Sequence, residues 1–244
     1  MLIIAVIQKQ YRENNDLNVK KGQALESAIT GGKYPAGGMA AVQKAVRSEL
    51  DRLAVLVTSF DEDADIDDIR EAYEKFVEAL VTGFYAFMFQ GRIGAILYLS
   101  ISDFNELMVT SAAVSTRFKR SAQNAHVYQP IILPREVKQD ILFFYDRVRP
   151  LLRLSGISHD ALLTGFLFPS WGDIESASSP NVIPSFTLRT MGVRLTSTNL
   201  RAVTETEAEQ AWRDGRITEG QRSSVRSVNG HGSRTVLLIV QLRN

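Results

Sequence analysis

Four short stretches of this chain hold side chains that could do chemistry, at spacings that local structure would fix. Arg92 stands just before the amphipathic run Ile93, Ile96, Leu97, Leu99. Arg117, Lys119 and Arg120 cluster near the tip of an expected hairpin. A basic finger of that kind suits a groove or backbone of a nucleic acid, although it also describes an ordinary solvated turn. LTSTNLRAVTETEA, Leu195 to Ala208, carries Thr198 and sets Arg201 early in an expected helix. Asn229-Gly230-His231 then forms a sharp polar turn, followed by the apolar run Val236 to Val240. Taken singly, each stretch is also compatible with an unremarkable surface.

The elements that must position these groups follow from periodicity. Ala41, Val42, Ala45, Val46, Leu50, Leu53 and Ala54 recur at three and four residues, which marks a helix over Met39–Val57. Asp61 to Asp68 reads either as an acidic interaction segment or as a solvated linker whose last carboxylates favour the positive end of the following helix. That helix is expected from Ile69 to Phe89, and a shorter one from Ile93 to Leu99. Val109–Phe118 and Val127–Leu133 are expected as two strands around a polar turn. Pro134 opens a helix from Glu136 to Leu154, interrupted at Pro150. Ser170–Pro184 reads as a loop, with helical pieces from Phe186 onward. The expected fold class is mainly α with a small antiparallel β-hairpin (α+β). The expected organisation is a short helical region over residues 1–60 and a larger domain over 61–244.

Composition narrows the chemistry. There is no cysteine, which excludes disulfides, thiol nucleophiles and thiolate metal sites. The formal net charge is +1, so a nucleic-acid surface has to come from local clustering. Arg189, Arg194, Arg201, Arg222, Arg226 and Arg234 supply candidates for it in the last third. The N-terminal MLIIAVI is too short for a membrane span, and no other segment approaches one. The expectation is a soluble intracellular protein, nuclear if its source is a eukaryote, with no membrane partner.

In this order the four stretches resemble the boxes of the tyrosine recombinases, the phage-type integrases, over about Asp67 to the C-terminus. QGRIGAILYLSISDF, Gln90 to Phe104, is similar to the box that carries the first family arginine, here Arg92. Lys119 matches the hairpin lysine, and QPIILP, Gln129 to Pro134, the strand end that follows it. Thr198 to Arg201 is similar to the H-x-L-R box, and NGHGSRTV, Asn229 to Val236, to the L-G-H box. FKRSAQNAHVYQPIILP and the long insert before Asn229 look closer to recombinases of eukaryotic mobile elements.

The resemblance implies strand exchange on DNA without a metal or other cofactor, through a 3′-phosphotyrosyl bond. Arg92 and Arg201 would hold the non-bridging oxygens, where a guanidinium fork gives two parallel charge-assisted hydrogen bonds. Lys119 would protonate the leaving 5′-oxygen, and His231 would assist at the phosphate. Thr198, with Arg117 and Arg120, would contact DNA. Two positions depart from the pattern. Thr198 stands where the box has histidine, and a hydroxyl is no base near neutral pH. Val240, nine residues after His231, stands where the nucleophilic tyrosine belongs, and no tyrosine follows Tyr145. The expectation is therefore a recombinase-fold protein that binds duplex DNA and does not cleave it. The alternatives are an active recombinase whose nucleophile lies beyond Asn244 or comes in trans, and a helical interaction or scaffold protein. An apolar C-terminal helix would also suit a homo-oligomer.

Overall fold

The apolar stripe of residues 39–57 forms α1, Gly38–Thr58, which turns Met39, Val42, Val46, Leu50 and Leu53 inward. These contacts come from a computed structural model that describes residues 37–61, 63–88, 93–115 and 129–226. Asp65 accepts the Asp67 amide through its side chain at 2.7 Å, and Asp67 and Asp68 occupy the first turn of α2, Ile66–Met88. Carboxylates there oppose the positive end of the helix.

The second half of α2 is buried on every side from Ala79 to Ala86. A helix that is apolar all round has to be a central one, and α1, the helix over Val182–Met191 and the turn over Arg135–Val137 pack around it. Gly83 permits the closest approach: a Cβ there would lie 2.9 Å from Val46 Cγ1 and 3.2 Å from Val137 Cγ1. Buried residues of α1 and α2 belong to one hydrophobic core with residues as far along the chain as Val203.

Two short helices come next, α3 over Ile93–Leu97 and α4 over Ile101–Thr110. Ser100 caps α4 and forms a reciprocal box with Asp103, the Asp103 amide donating to Ser100 Oγ at 3.1 Å and the Ser100 amide to Asp103 Oδ2 at 2.7 Å. The expected strand from Val109 is corrected here. Val109 and Thr110 complete α4, and the chain turns at Ser111 before β1, Ala112–Ser115, begins. The helix wins because a capping box starts it and a left-handed residue ends it, two effects that outweigh the weak strand preference of two β-branched residues. β1 pairs antiparallel with β2, Gln129–Ile132, with Ala112 opposite Ile132 and Ser115 opposite Gln129.

The single helix expected over Glu136–Leu154 is four consecutive pieces. A 3-10 turn, Arg135–Val137, leads into α5, Lys138–Phe143, then a π turn, Phe144–Val148, then a 3-10 stretch, Arg149–Ser155. Pro150 has no amide hydrogen to continue an α ladder, which accounts for the last change of pitch. Helix α6, His159–Leu162, follows.

The expected loop 170–184 also differs. Pro169–Ser170 (β3) and Asp173–Ala177 (β4) form a second antiparallel pair, and α7 runs Val182–Met191 with Pro184 in its first turn. Tyr73 reaches this hairpin from α2. Its hydroxyl donates to Pro169 O at 2.8 Å, and its ring lies 5.4 Å from Trp171. The Phe144 and Phe168 rings, 5.4 Å apart, extend the cluster. Such pairs add about 0.5–1.5 kcal/mol each beyond the area they bury.

The chain ends its described course with α8, Ser197–Arg213, and α9, Glu219–Arg226. Among the described residues the architecture is mainly helical with two small antiparallel pairs. Among the described residues no helix is long and apolar enough to cross a membrane.

Candidate functional site

Of the residues singled out by the sequence, Thr198 and Arg201 lie among the described ones, both on the first turns of α8. Arg92, Arg117, Lys119, Arg120, His231 and Val240 lie outside the described residues.

The start of α8 is determined locally. Thr196 is the cap: the Asn199 amide donates to its hydroxyl at 3.2 Å, and the Thr196 amide donates to Asn199 Oδ1 at 2.9 Å. A full capping box typically contributes about 1 kcal/mol. Leu195 and Leu200 occupy the two positions of a hydrophobic staple and are both buried. Leu200, Val203 and Thr204 turn α8 toward the core. The other side of the first turn bears Thr198, which is exposed, and Arg201, which is half-buried. Arg201 Nη2 donates to Thr198 Oγ1 at 3.3 Å. The i, i+3 spacing thus sets a hydroxyl and a guanidinium side by side at the end of a helix. Because the box already occupies the cap, an incoming anion here would be held by side chains.

Helix α9 folds back on α8. Thr218 and Gln221 form its capping box, with the Gln221 amide on Thr218 Oγ1 at 3.2 Å and the Thr218 amide on Gln221 Oε1 at 2.8 Å. Arg222 latches the two helices. Its guanidinium stands 3.9 Å from the Trp212 ring centre, and it donates to Glu209 Oε2 at 3.1 Å and Glu219 Oε1 at 2.7 Å. Arg222 thus sets α9 against the Glu209–Trp212 stretch of α8.

Two further arginines of the last third form ion pairs within the fold. Arg189 bridges two carboxylates on two helices, Glu49 of α1 and Glu78 of α2, the latter at 2.9 Å. Glu49 also takes a two-pronged contact from Arg52, at 2.8 and 2.9 Å. That Arg52 contact, with help from Arg189, holds the Glu49 carboxyl below its ordinary value. Glu78 is displaced the other way, because burial raises it further than Arg189 lowers it. Arg189 and Arg222 are therefore corrected as members of a free basic face: their charge is balanced within the protein. Arg194 stays exposed, three residues before Ser197.

Arg149 was not among the residues singled out above. It is 2% exposed, and among the described residues it makes no ion pair with a carboxylate. Nη1 donates to Leu162 O, and Nη2 to Thr164 O at 3.1 Å and Phe166 O at 3.2 Å. Burial lowers its pKa from the ordinary arginine value. The turn it grips pairs with the start of α4, where the Leu167 amide meets Leu99 O at 2.7 Å and the Ile101 amide meets Gly165 O at 3.1 Å. A lone arginine before a proline carries no sequence mark of such a role.

Among the described residues no three His, Asp or Glu side chains gather as a metal site would require. No family model matches this chain, and no curated protein or solved structure does.

Proposed function

We propose that this chain is a duplex-DNA-binding protein of tyrosine-recombinase fold that does not cleave its substrate. The observation that carries the reading is the pair Thr198–Arg201, held side by side on the capped first turns of α8. A fixed guanidinium beside a hydroxyl is the donor set for one phosphate: the fork takes two oxygens and the hydroxyl a third. The element order supports it, with a short helix directly after Arg92, a two-stranded hairpin spanning Lys119, and α8 after that. The absence of cleavage rests on Val240, whose side chain has no nucleophilic atom.

The test uses the full chain and a nicked duplex that would trap a covalent intermediate. Retention of duplex on a native gel, with no protein–DNA adduct on a denaturing gel, is the expected pair of results. Adduct formation would contradict the loss of cleavage. No duplex retention at low salt would contradict DNA binding itself.

A further inference from the structure

We propose that Thr187 is a positioning residue for the Thr198–Arg201 pair, acting through the start of α8; this rests on the DNA-binding reading above. Thr187 sits in α7 and is fully buried. Its hydroxyl donates to Ile183 O, one turn back in the same helix, at 3.0 Å. That bond uses the only proton the hydroxyl has and so fixes where its lone pairs point. One lone pair receives the Leu195 amide at 2.9 Å.

Leu195 is the residue before the α8 cap, and it is 1% exposed. Water does not reach its N–H, so the Thr187 hydroxyl satisfies a donor that would otherwise be orphaned. The bond ties the residue ahead of Thr196 to a rigid helix. Arg189, two residues along α7, anchors that helix to α1 and α2 through Glu49 and Glu78. The path runs from the core helices through α7 and Thr187 to Leu195, the Thr196 cap, and the first turns of α8. Thr187 touches neither Thr198 nor the expected ligand. It sets the position from which they reach it, and a bidentate contact tolerates errors of only about 0.5 Å or 10–20°.

The experiment measures affinity of the full chain for a short duplex by fluorescence anisotropy at one low salt concentration. Thermal melts set each protein well below its transition. Thr187→Val keeps the shape and removes the acceptor; it is expected to weaken binding on the order of tenfold, the worth of one buried hydrogen bond. Thr187→Ser, which keeps the hydroxyl, should bind like the wild type. In an Arg201→Ala background, Thr187→Val should add no further loss, because the residue it positions is gone. Equal binding by Thr187→Val and wild type would overturn the proposal, as would an undiminished loss in the Arg201→Ala background. If Thr187→Val does not fold, Thr187→Cys, a weak acceptor of similar size, makes the same comparison with an intermediate loss expected. A wild type that binds no duplex would overturn the DNA reading instead. Hydrogen exchange then decides the positioning: faster exchange of the Ser197–Arg201 amides in Thr187→Val upholds it, and unchanged exchange there overturns it.

Discussion

The Met39 amide donates to Glu207 Oε1 at 2.8 Å, joining the start of α1 to the middle of α8 across 168 residues of chain. Gly37, in the cap position of α1, has no side chain to offer, so a carboxylate from another helix takes the role. The bond ties α8 to the start of α1 at a point about 1.7 turns beyond Arg201.

Glu207→Ala should cost about 1 kcal/mol, as the loss of a helix cap does, and Glu207→Gln less, since it keeps an acceptor. Gly38→Ala should cost at least as much. Gly38 has φ of 57°, and a Cβ there would lie 2.1 Å from Glu207 Oε1. The alanine would displace the carboxylate, so the two substitutions together should cost less than their sum. Urea unfolding of the three variants and the pair checks this.

Arg149→Ala should destabilise by about 3 kcal/mol, because it strips a charged donor from three carbonyls at once. Arg149→Lys should recover part of that, since one ammonium cannot span the Leu162, Thr164 and Phe166 oxygens as a planar fork does. The denaturant midpoint should move without a change in slope.

Glu49 and Glu78 should give opposite pH signatures. The Glu49 carboxyl, lowered below its ordinary 4.5, contributes stability that is fully present above that value and lost as pH falls through the lower folded value. Glu78 is raised, so its contribution is fully present below 4.5 and is lost as pH rises through the higher folded value. The stability lost on Glu49→Gln should therefore grow as pH rises through the acid range up to 4.5. The stability lost on Glu78→Gln should shrink as pH rises above 4.5. Chemical denaturation at a series of pH values gives both curves, and parallel curves would contradict the assignment.

Ser111→Gly should stabilise the protein by roughly 0.5–1 kcal/mol. Ser111 is the one described non-glycine residue at positive φ, 60°, a region where a Cβ is strained. Its backbone closes α4 onto Leu107 O at 2.8 Å and accepts the Leu133 amide at 3.0 Å. Neither bond needs a side chain. An unchanged or lower melting temperature would contradict this.

The long helices were legible because each carries its own periodic stripe: α1 matches the run Met39–Val57 within a residue at each end. The broken helix over Arg135–Ser155 was not, since its apolar spacing suits an α helix and only tertiary packing, with Arg149 drawn onto three distant carbonyls, imposes the π and 3-10 turns. The β3–β4 hairpin was missed for a related reason. Its strands are short and mostly polar, and they are held by Tyr73 and the ring cluster from elsewhere in the chain. At the candidate site, the early-helix position of Arg201 was legible, whereas its contact with Thr198 comes from the helix itself. Glu207 and Thr187 could not be read the same way, because a carboxylate or hydroxyl whose partner is remote in sequence leaves no local pattern.

The central claim, that Arg201 grips a DNA phosphate, is tested most directly by the salt dependence of duplex binding. Each phosphate neutralised adds about 0.9 to the slope of log affinity against log salt. Arg201→Ala should lower affinity for every duplex sequence and reduce that slope by about 1. A slope equal to that of the wild type, at unchanged affinity, would contradict the claim.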